Sequence, residues 1–214
     1  MTTTASLLAT ARIELFDLET PYLWSDALLY SYIDEAQKQF CRDTYGIEDS
    51  RTYSLSILAD GTEWYAINAR ILKIRSAVNS ATGKPVDLIA VEKMDTSYMK
   101  FDGAQGPIKA LITGLDKGFV RAYPVPNEAA TINLRTFVLP ATVTSVSSFV
   151  IDDQHVPYLL HWVKYRAYYV QDADARDEKK ADNNKAMWDA YCAKAKVEQS
   201  RARRPVSTVT YGGI

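Results

Sequence analysis

The residues best suited to acid–base or metal chemistry in this 214-residue chain are its two histidines. His155 and His161 are six positions apart, on or beside one predicted helix. Histidines that share a metal on one helix are three or four positions apart, so this spacing points the two imidazoles in different directions. We therefore expect histidines that cap or pack a helix, and we predict no metal site.

The two cysteines, Cys41 and Cys192, are the next candidates for chemistry. Neither belongs to a CxxC pair, and two cysteines cannot make a disulfide framework, so we expect reduced thiols on helices. Residues 1–16 lack the basic start and the long apolar run of a signal peptide. No window approaches the roughly 20 apolar residues of a membrane span. These features predict synthesis and folding in a reducing cytoplasm, without a membrane partner.

A group of acidic residues in the last third of the chain has some of the spacing of a calcium-binding loop. It consists of Asp172, Asp174, Asp177, Glu178 and Asp182. A calcium loop needs a ligand at its fifth position and a glycine at its sixth, but Arg176 and Asp177 occupy these positions. We interpret the group as a solvated loop whose acidic residues favour the start of the next helix.

Motifs for phosphate binding and nucleophilic catalysis are missing from the sequence. Its glycines form neither GxGxxG nor a P-loop, and no serine lies in a GxSxG elbow. A pair of catalytic carboxylates forms in space, and nothing in the sequence selects such a pair. The sequence therefore predicts a protein that is not an enzyme and that uses no cofactor.

Composition and charge are those of an ordinary globular protein. Apolar residues make up 47% of the chain and charged residues 24%, which is enough material for a sizeable core. The formal net charge is -1 and the pI is about 6.1. Because a nucleic-acid binder usually has a basic excess for phosphate contacts, this balance disfavours DNA as the main ligand.

Two helices are predicted in the first 50 residues. The first spans residues 4–19 and stops at Pro21. Its apolar positions are Leu8, Ala11, Leu15 and Leu18. The second begins after Ser25, a suitable N-cap, and is predicted to end at Gly46. Its apolar stripe contains Leu29, Ile33, Ala36 and Phe40.

The sequence pattern changes to a period of two between residues 51 and 150. Residues 53–57 alternate apolar and polar side chains, as in a half-buried strand. The turn signal Asp60-Gly61 predicts that residues 64–67 return as the hairpin partner of this strand.

Further segments continue the alternation. Leu72, Ile74 and Val78 alternate with Lys73, Arg75 and Ala77 and lead into a turn at 82–85. Residues 91–99 favour a short helix. Residues 110–113 and 119–123 predict a second hairpin, and residues 132–138 a last strand. Turn signals about every 10 residues favour a small antiparallel sheet or a sandwich.

Helical periodicity resumes at Val156. One face contains Val156, Leu159, Leu160, Val163 and Ala167, and another contains Tyr158, Trp162, Tyr165 and Tyr169. A helix that is apolar on two faces is usually central and packed on both sides.

The last predicted helix spans residues 175–203. Its apolar stripe is sparse, with Ala181, Trp188, Tyr191 and Ala195. So narrow a stripe gains little from burial inside its own domain, so we expect this helix to project into solvent or to pack against another chain. The basic residues at its end either complement the helix dipole or meet an acidic partner or passing DNA.

These elements predict an α+β fold in which a bundle of about four helices is interrupted by an antiparallel β insertion, a small sheet or sandwich. Residues 1–50 and 151–204 would form the discontinuous helical domain. Residues 51–150 would form the insertion, and residues 205–214 an extended C-terminal tail.

Four segments in a fixed order carry a resemblance to a known family. They are residues 24–37 (WSDALLYSYIDEAQ), 70–78 (RILKIRSAV), 106–126 (a Gly-Pro start and a VRAYPVP end) and 156–174 (starting VPYLLHWV). Over about residues 20–200 this series resembles the head-to-tail adaptor proteins, or head-tail connectors, of tailed bacteriophages. One strand start departs from the family's Y-x-L-P, since Tyr53-Ser54-Leu55-Ser56 lacks the proline.

The resemblance implies a structural virion protein at the head-tail junction, made in the host cytoplasm. Such adaptors form a homo-oligomeric ring, commonly of twelve copies, beneath the portal ring in the neck of the particle. They join the capsid to tail or nozzle proteins. They also leave a channel for DNA ejection, without sequence-specific DNA binding.

This role predicts two contact surfaces near the end of the chain. The stripe Ala181, Trp188, Tyr191 and Ala195 would be an intersubunit surface. Contacts with the portal protein would come from the basic end and the tail, through Arg201, Arg203, Arg204, Val206, Val209 and Tyr211. The tail would become ordered on docking, and residues 208–211 could add a strand to a partner sheet.

Two alternatives stay open. A tail tube or tail-completion component would occupy a different position in the same virion. A soluble hydrolase with a carboxylate pair in the β region would need a deep pocket with two converging acids of perturbed pKa.

Overall fold

The computed structural model of the protein describes residues 3–96, 104–170 and 176–203. Over these residues the chain is α+β, as predicted, with five α-helices and a curled sheet. The chain divides into two compact units. We call residues 1–46 with 140–214 the helical unit and residues 47–139 the sheet unit.

The helices and strands have the following bounds. The helices are α1 (Thr4–Leu15), α2 (Asp26–Thr44), α3 (Val91–Thr96), a 3-10 turn (Val156–Tyr158), α4 (Leu159–Tyr168) and α5 (Glu178–Ala202). The strands are β1 (Glu48–Asp49), β2 (Ser54–Ile57), β3 (Trp64–Ala66), β4 (Ile71–Asn79), β5 (Pro85–Ala90), β6 (Gln105–Gly106), β7 (Ala110–Thr113), β8 (Phe119–Tyr123), β9 (Val125–Pro126) and β10 (Ala130–Val138).

Helix α1 is shorter than predicted. It ends at Leu15 because Phe16 adopts a left-handed conformation, with a φ of 57°. The N–H group of Asp17 donates to the carbonyl of Arg12 at 3.0 Å, which satisfies one of the last helical acceptors. Leu18, predicted to lie on the helix, follows this cap and is exposed.

Helix α2 begins as predicted, since Ser25 Oγ accepts a hydrogen bond from the N–H group of Leu28 at 3.3 Å. Its predicted stripe is buried: Leu29, Ile33, Ala36 and Phe40. The left-handed residue at its end is Tyr45, with a φ of 53°, and not Gly46. Gly46 is suited to its position because a Cβ atom there would lie 3.0 Å from the Phe40 ring.

Helices α4 and α5 pack along each other and against α2. The predicted apolar face around α4 is buried: Val156, Leu159, Leu160, Val163 and Ala167. Helix α5 begins after Asp177, whose carboxylate accepts a hydrogen bond from the N–H group of Lys180 at 3.0 Å.

The expectation that α5 gains little burial inside its own domain is wrong. Its stripe residues Ala181, Trp188 and Ala195 are at most 1% exposed within the helical unit. The packing of one large side chain, Trp188, explains why α5 is more buried than expected. The Trp188 ring lies 6.4 Å from the Phe40 ring of α2 and 5.2 Å from the Trp162 ring of α4, measured between centroids.

The sheet unit is built around β10, which pairs with β4 on one edge and with β1 and β2 on the other. The strand order is β1-β10-β4-β5-β7-β8-β3, and β6 and β9 form a separate parallel pair. The predicted β7–β8 hairpin is confirmed. The hairpin predicted for residues 53–57 and 64–67 is wrong, because β2 pairs with β10 while β3 pairs with β8.

Strand β5 changes partners along its length. Its first two residues pair with β4 in the antiparallel sense. Its last four, Asp87–Ala90, pair with β7 in the parallel sense. The sheet therefore curls, and β5 diverges from the first part of β4.

A bulge in β4 reverses the alternation predicted for that strand. The pairing with β10 shifts at Arg75, because Ser76 faces Arg135 whereas Ile74 faces Thr136. One extra residue exchanges the two faces of a strand. Ala77 is therefore buried at 2% exposure, while Val78, predicted on the apolar side, is 37% exposed.

The core of the sheet unit is an apolar cluster drawn from most of these strands. It contains Leu55, Ile57, Tyr65, Ala77, Val86, Leu111, Val120, Ala122, Ile132 and Leu134. Strands β2 and β3 contribute Leu55 and Tyr65 to this one cluster, although each pairs with a different strand.

Candidate interaction surfaces

The basic end of α5 is engaged with α2. The guanidinium of Arg203 donates to the carbonyl of Tyr45, the left-handed cap of α2, and so satisfies a helix-terminal acceptor. The side chain of Arg201 is exposed. The other residues predicted to contact the portal lie outside the described residues: Arg204, Val206, Val209 and Tyr211.

Three of the four residues predicted at an intersubunit surface, Ala181, Trp188 and Ala195, are buried inside the helical unit. Tyr191 is half-buried and stacks on Tyr158, with 3.6 Å between ring centroids. Burial, with a smaller contribution from the neighbouring phenol, raises the pKa of Tyr191 to about 12. Tyr191 therefore stays neutral and joins the aromatic packing of α5.

His155 lies at the start of the 3-10 turn and is almost fully buried. Its Nδ1 atom is 2.7 Å from the hydroxyl of Tyr191, and its ring centroid is 4.8 Å from that of Phe40. His161 contacts a different residue, with Nδ1 at 3.3 Å from Oδ1 of Asn184. The two imidazoles thus have separate partners, and His155 packs between α2 and α5.

Burial makes His155 a pH-sensitive residue for stability. Burial lowers its pKa, and the opposing charges of Asp152 and Glu198 do not cancel this effect. Its neutral form therefore stabilises the fold above about pH 6.5, the ordinary histidine pKa. That contribution is lost as the pH falls from there toward the depressed folded-state pKa. We expect urea unfolding to show stability decreasing from about pH 7 to about pH 5.

The His155→Gln variant should flatten this part of the pH profile, because it removes the titrating group and keeps a hydrogen-bonding side chain. His161→Gln is the matched control for the substitution itself, since it removes the other, only partly buried imidazole of the same region. Equal slopes in wild type and His155→Gln would contradict the assignment.

A groove of about 720 Å³ lies between α2, α4 and α5. Its charged side chains form local pairs: Glu35 with Arg166 at 3.1 Å and Lys185 with Asp189 at 2.6 Å. The mixture of signs and the internal pairing suit a protein contact better than capture of one charged ligand.

Carboxylates of the sheet unit serve in structural contacts. Burial acts to raise the pKa of Glu48, but hydrogen bonds and charges from Arg75 and Arg135 outweigh it and lower that pKa. Burial also acts to raise the pKa of Asp49, but hydrogen bonds from Thr52 and from the backbone N–H group of Arg51 together outweigh it and lower that pKa. A general acid needs a raised pKa, so neither of these two carboxyl groups is suited to that role.

Across residues 3–96, 104–170 and 176–203, no group of three or more His, Cys, Asp or Glu side chains converges as a metal site would require. No helix within this part of the chain combines the length and the apolar character needed to cross a membrane.

The end of α1 and its connection to α2 expose several apolar side chains, which we call the loop surface. It consists of Ile13, Phe16, Leu18, Tyr22 and Leu23, which are 43–89% exposed. Phe16 is the most exposed of them, at 89%. Several large exposed apolar side chains within one short segment are typical of a contact surface.

A buried ion pair holds the loop surface in place. Arg12 donates to the Asp17 carboxylate at 2.5 Å and to the Trp24 carbonyl at 3.0 Å. Asp17 in turn accepts a hydrogen bond from the N–H group of Leu23 at 2.8 Å. Arg12 also reaches the exposed carboxylate of Asp26. Residues 17–24 are therefore closed into a fixed loop.

A second feature, which we call the sheet cavity, lies where β5 diverges from β4. Its volume is about 280 Å³. The apolar lining includes Ile67, Ile71, Leu72, Ile74, Leu88 and Val120. Several of these side chains are only partly buried, so the cavity opens to solvent on the surface of the sheet unit.

Sequence reasoning missed the loop surface and the sheet cavity. A signal for Arg12 was present, because it lies at helical spacing between Leu8 and Leu15, on the buried face of α1. The sheet cavity had no comparable signal, since it depends on β5 changing partners.

In the part of the chain that the structure describes, the distinctive surfaces are exposed apolar side chains and paired charges, which suit contacts with other proteins. The chain matches the SU10 adaptor protein family over residues 2–209 and belongs to it. The resemblance to phage head-to-tail adaptors, inferred from the four ordered segments, is thereby confirmed. No curated protein matches the sequence significantly.

Proposed function

We propose that this phage adaptor protein forms a ring beneath the portal, joins the capsid to the tail and leaves a channel for DNA. The observation that carries the proposal is the family match over residues 2–209, nearly the whole chain. The ring would contain about twelve copies, the number common among such adaptors. The proposal includes no catalytic step and no cofactor.

A closed ring needs a heterologous interface, in which two different patches of each subunit meet. We propose that the helical bundle with its β insertion supplies these patches. The buried residues Ala181, Trp188 and Ala195 would pack α5 onto its own helical unit. Tyr191 would contact the neighbouring subunit. Exposed apolar residues of α5, Met187 and Val197, would face the neighbour more directly.

Portal attachment is assigned to the end of the chain. Arg201 is exposed and offers a cation to an acidic partner. Arg204, Val206, Val209 and Tyr211 follow in a segment rich in β-forming residues, which would add a strand to the portal. DNA would pass through the channel without sequence-specific contacts, consistent with the formal net charge of -1.

Deleting residues 205–214 should abolish portal attachment and leave the fold intact. The reason is that the tail has no periodic apolar pattern by which to join the core. Thermal unfolding would report stability, and co-sedimentation with portal rings would report attachment. A variant with the same tail residues in scrambled order is the matched control for length and composition.

An equal loss of thermal stability in the truncated protein would contradict this assignment of the tail. The ring itself is tested by cryo-electron microscopy of the virion. Density for the protein in a ring directly beneath the portal is the expected result. Density along the tail tube or at the tail tip would overturn the proposal and favour a tail component instead.

A further inference from the structure

We propose that residues 205–214, the terminal segment, bind in the groove between α2, α4 and α5 of their own subunit, with Tyr211 beside Trp162. We call this groove the helix groove. The inference goes beyond the proposed function, because it concerns the protein before it meets a portal. Only its last step rests on that function: the portal would displace the terminal segment from the helix groove and bind it instead.

The first argument is the place where the described part of the chain ends. Arg203, the last described residue, donates to the carbonyl of Tyr45. Tyr45 lines the helix groove, and so does Lys196, about two helical turns before Arg203. The terminal segment therefore starts beside the helix groove. A segment tethered so close has an effective concentration in the millimolar range, which favours it over a free partner.

The second argument is length. Trp162 lines the helix groove, and its ring centroid lies 5.2 Å from that of Trp188 on α5. Between Trp188 and Arg203 an α-helix rises about 22 Å. An extended chain that runs back from Arg203 covers about 26 Å by Tyr211. The terminal segment is thus long enough to place Tyr211 beside Trp162.

The third argument is chemistry. The helix groove measures about 720 Å³, and its lining contains the two local ion pairs described above. Residues 205–214 have no charged side chain, so they can lie over these pairs without breaking them. A strongly charged partner would instead meet charges that are already paired. Trp162 and Tyr165, packed edge to face at 5.4 Å in the lining, offer Tyr211 an aromatic contact.

Cross-linking within the full-length chain tests the contact, using Ala193→Cys together with Ser207→Cys. Ala193 is exposed, lines the helix groove and lies about 15 Å from Arg203 along α5. Ser207 lies about 13 Å from Arg203 in an extended chain, so the two thiols would be neighbours. A short bismaleimide joins them. The native Cys41 and Cys192 stay unreactive, because burial raises the pKa of each to about 12.

The expected result is a cross-link within one chain. Lys194→Cys with Ser207→Cys is the matched control, because Lys194 adjoins Ala193 and is exposed but does not line the helix groove. A terminal segment without a fixed site would react equally with both positions. A bound one should react at least about tenfold faster with Ala193→Cys, after correction for the labelling rate of each single thiol. Adding Tyr211→Ala should remove most of this preference, whereas Thr208→Ala should keep it.

Two further controls define the product. The Ser207→Cys single variant reports any reaction with the native thiols, and thermal unfolding shows whether each variant keeps its fold. Mixing two tagged proteins, one with Ala193→Cys and the other with Ser207→Cys, reports on exchange between copies. A cross-link between the two chains at the rate of the double variant would place the terminal segment in the groove of a second copy and overturn the inference.

Equal rates for Ala193→Cys and Lys194→Cys, or a preference insensitive to Tyr211→Ala, would also overturn it. If microscopy still places a ring beneath the portal, the proposed function stands without the helix groove. If the preference is found but deletion of residues 205–214 leaves portal attachment unchanged, the proposed role of this segment at the portal fails while its binding in the helix groove remains. The two failures are therefore distinguishable.

Discussion

Replacing Trp188 by alanine is expected to reduce the free energy of unfolding by about 3–5 kcal/mol, the usual cost of truncating a buried aromatic residue to alanine. Trp188 is fully buried and contacts rings from both α2 and α4. Its indole N–H has no hydrogen-bond partner among the described residues, so packing accounts for its contribution. Urea unfolding followed by circular dichroism measures the loss.

Met187, the preceding residue, provides the matched control. It is 47% exposed, and Met187→Ala should change stability by less than about 0.5 kcal/mol. Trp188→Phe should lie between the two variants, because it keeps an aromatic ring and leaves a smaller cavity. Equal effects of Trp188→Ala and Met187→Ala would show that α5 is not packed as described.

Replacing Arg12 by methionine is expected to cost about 3–5 kcal/mol of stability, because it leaves the buried carboxylate of Asp17 without its counter-charge. The two side chains are 8% and 5% exposed. The contact with Asp26 adds less, since that carboxylate is 60% exposed and partly screened by water. Chemical unfolding at neutral pH measures the effect.

A double variant separates charge from shape at this position. Arg12→Met with Asp17→Asn should recover part of the loss, because the amide oxygen can still accept the N–H group of Leu23 and no buried charge remains. The control is Lys185→Met, which breaks an exposed ion pair with Asp189 and should cost at most about 1 kcal/mol. A loss of that size for Arg12→Met would mean that water reaches the Arg12–Asp17 pair.

Local patterns in the sequence predicted the helices best. The apolar stripe of α2 was predicted from residue spacing, and the Ser25 cap was predicted from the residue type just before the helix. Both are present in the structure. The burial of α5 could not be predicted from its sparse stripe, because one tryptophan with partners on two other helices replaces several smaller contacts.

Strand pairing was predicted well only where the partners are adjacent in sequence. The β7–β8 hairpin has a short turn, and its pairing is confirmed. The alternation of residues 53–57 was equally clear, but it gives no information on the partner, which lies in β10. The bulge at Arg75 reverses the faces of β4 through a pairing more than 50 residues away, so no local rule could reveal it.

The interaction surfaces depend even more on tertiary structure. Arg12 lies at an apolar position of α1 and could have been noticed, yet its partners come from the next loop and helix. The sheet cavity exists because one strand divides its hydrogen bonds between two neighbours. The family resemblance indicated the class of protein, but it did not locate the loop surface or the sheet cavity.

The first and last residues of the sheet unit lie close together in space. Ile47 and Val138, near its two ends, are joined by a 3.1 Å hydrogen bond, and β1 pairs with the last residues of β10. A segment whose ends are neighbours can be exchanged for a short turn, or for another domain, without pulling its host apart. Residues 47–139 thus have the properties of a transferable cassette. Related adaptors could vary in this segment, by insertion or replacement, while α1, α2, α4 and α5 keep their packing.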